Sequence, residues 1–281
     1  MLVFTTAEEL SSCLKSQSQT VGLVPTMGAL HLGHLALVEK ACKENKWVVV
    51  SIYINPTQFN NTEDLEKYPV TLEKDLQLLE PFQKQLLVYS PSNQEMYPSG
   101  FFKKNYDFGT LTKHMEGAFR PGHYDGVATV VELLFKKTTP TKAYFGEKDF
   151  QQLQVIRALV KQKKLSLSIV ECPTVREKDG LAMSSRNQLL TTIQRQAAPL
   201  IYQTLESLKK TTFTSDVSQM ELYFKKELEQ SDELKVEYFC VAETENLVPV
   251  TTLEKGKKYR FFTAVFAGKT RLIDTVELGR I

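Results

Sequence analysis

Residues 21–34, VGLVPTMGALHLGH, restrict the fold more than any other part of the chain. The uncharged run Val21-Gly22-Leu23-Val24 reads as a buried strand, and Leu35, Leu37, Val38 and Ala41 recur at helical spacing beyond it. Between them lies a short loop with Gly28 and Gly33, small enough to let a ligand approach the backbone. A strand that passes through such a loop into a helix is a building unit of parallel α/β sheets. A helix start presents backbone N–H groups and a positive dipole end, which together attract anions. His31 and His34 stand where the loop enters the helix, so two imidazoles accompany that position. The segment predicts a site for a phosphate chain.

The remaining pattern fits such a sheet. Thr6-x-x-Glu9 is a capping-box pattern, and Ala7, Leu10 and Leu14 follow it at helical spacing. Trp47–Ile54 is rich in β-branched and aromatic residues and nearly free of charge, which predicts a strand covered on both faces. Helices are predicted over Leu72–Leu79, Val127–Lys137 and Gln151–Lys161, and strands over Gln85–Tyr89, Lys142–Phe145 and Leu165–Val170. Residues 91–125 read as irregular with short elements. The alternation predicts a doubly wound α/β domain over residues 1–175. Residues 173–190 are polar and loop-like. Helical stretches over Thr192–Leu208 and Asp216–Glu229 then precede strand-like runs at Lys235–Ala242, Tyr259–Ala267 and Arg271–Val276. That order predicts a smaller α+β domain over residues 176–281.

A length of 281 residues suits two such domains. With 35 basic against 33 acidic residues, the net charge of +2 gives no general basic surface for nucleic acid. No stretch approaches the length of a membrane-spanning helix, and MLVFTTAEELSSC lacks the basic start of a signal peptide. Cys13, Cys42, Cys172 and Cys240 are far apart, which argues against a disulfide framework or a structural zinc site and fits a reducing cytosol.

Several segments carry candidate chemistry, each with a plainer structural alternative. His31-Leu32-Gly33-His34 lacks a third ligand at any standard metal spacing; it reads as phosphate-contacting imidazoles or as a helix cap with a packed histidine. Asn55-Pro56-Thr57-Gln58-Phe59 follows the second sheet strand; Gln58 offers donors and an acceptor suited to a hydroxy acid, and Asn-Pro alone suits a polar turn. Phe145-Gly146-Glu147-Lys148-Asp149-Phe150-Gln151-Gln152 also joins a strand to a helix. Lys148 suits a phosphate there, while Asp149 and Gln152 can instead form a capping box. Val175–Asn187, with Ser184, Ser185 and Arg186, reads as a phosphate clamp on a loop or as a solvated linker. Phe119–Gly126 is turn-rich, and its His123 is either catalytic or part of a structural turn.

Taken in order, VPTMGALHLGH, INPTQFNNTEDLEKYPVTLEKD, FRPGHYDGVATVV, AYFGEKDFQQL and REKDGLAMSSRN resemble the pantoate–β-alanine ligase family over roughly residues 21–190. The resemblance implies a Rossmann-like nucleotidylyltransferase domain followed by a smaller C-terminal lid domain. It implies condensation of pantoate with β-alanine through a pantoyl adenylate, with release of pyrophosphate and AMP. It also implies ATP accompanied by Mg²⁺ and a cytoplasmic homodimer. Residue by residue, it places ATP at Met27, Gly28, Ala29, Leu30, His31, Leu32, Gly33 and His34. ATP contacts continue at Gly146, Glu147, Lys148 and Asp149, at Val175, and at Met183, Ser184, Ser185 and Arg186. His34 is the implied proton donor; His31, Lys148 and Arg186 share the catalytic work on the phosphates. Gln58 and Gln152 are the implied pantoate residues, and Gln58 also reaches β-alanine. No metal-ligating side chains and no enzyme nucleophile are expected. Val70 and Glu132 depart from the usual family pattern. Related nucleotidylyl transferases remain the competing enzyme class, although two neutral amides at Gln58 and Gln152 suit pantoate better than a phosphorylated acceptor. A non-catalytic nucleotide binder is the other alternative, and the full set His31, His34, Lys148 and Arg186 argues against it.

Overall fold

The computed structural model describes residues 1–15, 19–210 and 215–280. Its first elements are β1 (Leu2–Phe4), α1 (Ala7–Lys15), β2 (Val21–Thr26), α2 (Leu32–Glu44), β3 (Trp47–Ile52), α3 (Thr62–Glu66), α4 (Leu72–Leu79) and β4 (Leu86–Tyr89). Then come α5 (Asn93–Met96), α6 (Glu116–Phe119), α7 (His123–Thr138), β5 (Lys142–Gly146), α8 (Phe150–Gln162) and β6 (Ser168–Cys172). The chain ends with α9 (Thr192–Ala197), α10 (Leu200–Lys210), α11 (Val217–Leu228), β7 (Leu234–Glu243), β8 (Lys258–Ala267) and β9 (Thr270–Arg280).

These elements group into two compact units. One holds residues 1–108, 120–147 and 152–173; the other holds 109–119, 148–151 and 174–281.

The first unit is a doubly wound parallel sheet in the order β1-β4-β3-β2-β5-β6. The chain builds from β2 through β3 towards β4 on one side, then crosses to β5 and β6 on the other. The direction reverses between β2 and β5, where ligands of open α/β sheets bind. β2 pairs with β3 from Val21↔Trp47 to Thr26↔Ile52. With β5 it pairs only at Gly22↔Lys142 and Leu23↔Ala143, so that ladder stops short of the strand's carboxyl end. On one face, Val24, Val48, Val50 and Val88 pack with Leu37, Val38 and Ala41 of α2 and Leu79 of α4. Leu23, Val49 and Leu87 alternate with them and are equally buried, so they face the opposite side. There α7 meets β2 and α1.

The second unit has an antiparallel sheet β7-β8-β9. Met220, Phe224 and Leu228 of α11, together with Leu205 and Leu208 of α10, share a core with Phe239, Phe261 and Val265. Its two short segments, expected in the first domain, belong here for side-chain reasons. Gln151 donates to the carbonyls of Leu111 and His114 at 2.8 Å each and accepts from the Glu116 amide at 3.0 Å. Arg271 forks onto Glu116 at 2.7 Å, and Tyr238 donates to the same carboxylate at 2.9 Å. The Arg260 guanidinium lies 4.0 Å from the Phe150 ring centre.

Other differences from the sequence reading are local. The three-residue strand β1 is too short for any periodicity to show, yet it pairs with β4. β6 begins at Ser168, three residues later than expected. The helix expected over Thr192–Leu208 breaks into α9 and α10 around Pro199, which has no N–H to continue it. In place of a capping box at Asp149 and Gln152, a 3₁₀ turn over Glu147–Asp149 runs straight into α8. α7 starts at His123, a full turn before the expected Val127, after Gly122 at φ +75°.

Candidate active site

At the carboxyl end of β2, Thr26 Oγ1 donates to the Ser51 carbonyl at 2.7 Å and accepts from the Gly28 amide at 3.2 Å. Gly28 and Ala29 both take positive φ, +82° and +49°. Asp75, on α4 and 1% exposed, holds this turn: it accepts from the Ala29 amide at 3.0 Å and the Leu30 amide at 2.7 Å, and from Thr71 Oγ1 at 3.2 Å. A β-carbon on Gly28 would lie 3.0 Å from the Asp75 carboxylate, so glycine here admits an internal anchor. Burial pushes the Asp75 carboxyl above its ordinary range, against the lowering effect of these hydrogen bonds. Asp75 escaped the sequence reading, though one signal was present: an acidic residue four positions before Leu79 on the buried side of α4.

The next amides are also used internally. The His34 Nδ1 accepts from the His31 amide at 3.3 Å, and the His31 Nδ1 accepts from the Gly33 amide at 3.1 Å, making a reciprocal cap on α2. The ring centres are 4.1 Å apart. Because each Nδ1 accepts from an N–H, each neutral ring carries its hydrogen on Nε2. The first turn of α2 holds no acidic residue. The expected cradle of loop amides is therefore committed to Thr26, Asp75, His34 and His31. The turn still offers an anion imidazole N–H together with the helix dipole. Leu32 is 59% exposed.

The turn after β3 is built as tightly. Asn55 is fully buried, and its Oδ1 accepts from Tyr97 Oη at 2.8 Å and from Thr57 Oγ1 at 3.1 Å. Its Nδ2 donates to Gln58 Oε1 and to the Gly126 carbonyl at 3.2 Å each. Gln58 Nε2 donates to Met27 Sδ at 2.9 Å, which ties the expected pantoate residue to the β2 loop. A methyl on Gly126 would overlap the Thr57 carbonyl, so glycine lets α7 seat the Pro56–Gln58 turn.

Gly146 ends β5 with open space where a β-carbon would stand. In the second unit, Lys148 Nζ lies 3.5 Å from Asp149 Oδ1. Beside the buried, fully used Gln151, Gln152 is only half-buried. Residues 176–182 form a small hairpin closed by Glu177 and Leu181, with Arg176 bidentate on Asp274 at 2.6 and 2.9 Å. The Met183 amide donates to the Val175 carbonyl, and Ser184 caps the 3₁₀ turn Ser185–Leu189 by accepting from the Arg186 amide. Of the two departures from the family pattern, Val70 is 80% exposed. Glu132 is buried and binds Lys104, Lys136 and Tyr106; burial alone would raise its carboxyl, but these partners bring it down to about 2. It fastens the segment around residues 104–106 to α7.

Comparison with known proteins gives a consistent result. The family model described as pantoate-beta-alanine ligase matches residues 2–277. A pantothenate synthetase of Christiangramia forsetii is 47% identical over 266 residues, covering 95% of this chain and 94% of that one. One of Flavobacterium psychrophilum is 42% identical, covering 99% and 100%. The crystal structure of pantothenate synthetase from Thermus thermophilus superposes with a TM-score of 0.91 at 41% identity, covering 99% and 100% of the two chains. That of Francisella tularensis pantoate-beta-alanine ligase, complexed with beta-gamma ATP and β-alanine, gives 0.83 at 36% identity, covering 99% and 98%.

Proposed function

The chain belongs to the pantoate–β-alanine ligase family, and from that premise we propose that it joins pantoate to β-alanine at the expense of ATP. A carboxylate becomes an acylating agent only when its oxygen acquires a good leaving group. In the first step a pantoate carboxylate oxygen attacks the α-phosphorus, the bond to the β-phosphate oxygen breaks, and pyrophosphate leaves. In the second step the β-alanine amine attacks the acyl carbon, the bond to AMP breaks, and the amine gives up a proton. Nothing in this sequence needs an enzyme nucleophile; positioning and charge stabilisation carry it.

The observation that most supports this reading is the reciprocal cap of His31 and His34. It fixes both imidazoles as Nε2–H donors beside a helix start, which suits charge growing on phosphate oxygens. We assign Lys148 and Arg186 to the phosphates as well, Gln58 and Gln152 to pantoate, and Gln58 also to β-alanine. Among the described residues no three His, Cys, Asp or Glu side chains group as a metal cage. Mg²⁺ favours phosphate oxygens and retained waters, so we place it on ATP as part of the substrate. The working form we propose is a cytoplasmic homodimer; sedimentation at the mass of one chain would refute the dimer.

The test is pyrophosphate exchange. Pantoate with Mg-ATP should drive exchange of labelled pyrophosphate into ATP without β-alanine, and amide should form only once β-alanine is added. Exchange that requires β-alanine would refute the adenylate route.

A further inference from the structure

Two polar neighbours of His123 determine its tautomer. Its Nδ1 lies 2.8 Å from the backbone carbonyl of Gln58, and its Nε2 lies 3.1 Å from Arg120 Nη1. A carbonyl only accepts, and a guanidinium only donates. The Nδ1 therefore carries the hydrogen and the Nε2 carries the lone pair, so the bonds run one way, from Arg120 to His123 to Gln58. The ring is 6% exposed and lies 5.1 Å from the Tyr124 ring, so packing holds its orientation too. It sits at the first position of α7, the same turn that brings Gly126 against Thr57 and Gln58. The side chain of Gln58 is held separately, by Asn55 at one end and Met27 at the other. His123 is the side chain that holds its backbone carbonyl.

Resting on the assignment of Gln58 to pantoate, we propose that His123 is a positioning residue that acts through Gln58. Its fixed Nδ1–H sets the height and direction of the Pro56–Gln58 turn, and so of the amide that meets the hydroxy acid. It touches no reacting atom and transfers no proton. Without it, the Gln58 carbonyl loses its partner and the turn relaxes on α7.

Steady-state kinetics on the full chain tests this. His123→Ala should raise the KM for pantoate about 10-fold to 100-fold while the KM for ATP stays within about twofold, since a small displacement of a positioning group suffices for such losses. His123→Asn, whose Nδ2 falls near the position of Nδ1, should recover most of the loss. In a Gln58→Ala background, His123→Ala should add little further, as for residues acting through one another. Equal effects in both backgrounds, a matching rise in the KM for ATP, or no recovery with Asn would overturn the proposal. If Gln58→Ala leaves the KM for pantoate unchanged, the pantoate assignment fails and this role falls with it. If Gln58→Ala raises it and His123→Ala does not, the positioning role alone fails. Should His123→Ala not fold, the ¹⁵N spectrum of the wild-type ring decides. A neutral ring protonated at Nδ1 is expected, and protonation at Nε2 would overturn the proposal.

Discussion

Replacing Asp75 by Asn alters one atom and should loosen the turn that presents the two histidines. Asp75 takes the Leu30 amide at 2.7 Å on one oxygen and the Ala29 amide at 3.0 Å on the other. The Asn that keeps the shorter bond turns its NH₂ towards the Ala29 N–H, donor against donor. A buried donor that loses its acceptor costs about 1–3 kcal/mol. Ala29 holds φ +49°, a conformation that itself costs about 1–2 kcal/mol in a residue with a β-carbon. The lost bond therefore removes much of what holds Ala29 there. Part of the loss is offset, because Asn spares the protein a buried carboxylate. A net loss of about 1–2 kcal/mol is expected, read as a fall of a few degrees in the unfolding midpoint. Pantoate-dependent pyrophosphate exchange should fall about 10-fold to 100-fold as the imidazoles lose register. The pH dependence has a definite sign. The carboxyl is raised in the folded state from an ordinary value of 3.8, so the folded state binds that proton more tightly. Its stabilising contribution is complete below 3.8 and is lost as pH rises through the folded value. The stability advantage of wild type over Asp75→Asn should shrink over that interval and level off above it. Unchanged exchange kinetics in a folded Asp75→Asn enzyme would refute the anchoring role.

His34→Ala and Lys148→Ala should each slow adenylation by about 10²–10³, the usual scale for one lost transition-state stabiliser; near wild-type exchange in either variant removes its assignment. Two glycine variants should behave oppositely. Gly28→Ala meets Asp75 at 3.0 Å with φ +82° and should destabilise the fold by about 2 kcal/mol, measured by denaturant titration. Gly146→Ala has open space, so its stability should not change while the KM for ATP rises; an unaltered KM would show that no ligand approaches there. Trypsin cleavage after the exposed Lys178, in the segment 178–187, should slow when Mg-ATP is added, and equal rates would count against a closing loop.

What the sequence made legible follows the range of the forces involved. Val21-Gly22-Leu23-Val24 and Trp47–Ile52 announce themselves because parallel strands buried on both faces must be apolar throughout. The histidine pair was visible because its chemistry is local, three residues within one turn. His123 and Asn55 stand out as turn residues, but the contacts that make them and Asp75 anchors are not legible. Asp75 acts on the β2 loop across 45 and 46 residues, His123 on Gln58 across 65, and Asn55 on Gly126 across 71. No spacing in the chain encodes such contacts. The same holds for Gln151 and Gln152, identical neighbours in sequence. One is buried and fully hydrogen-bonded at the start of α8, while the other is half-exposed and available.

The β2 loop and the β3 turn share one plan, and it suits the proposed binding through side chains. Each turn follows the carboxyl end of a central strand and is held by buried polar groups: Asp75 on α4 for the β2 loop, and Asn55 within the turn with His123 on α7 for the β3 turn. Committing the loop amides internally forgoes several donors to phosphate. In exchange, the imidazoles receive a single orientation and a single tautomer before any substrate arrives. In the proposed role, donors fixed in this way need no reorganisation as charge grows on phosphate, the condition under which such donors contribute most. The buried carboxylate and the left-handed Ala29 are the cost of this arrangement, and the six-rung ladder between β2 and β3 is the rigid base that sustains it.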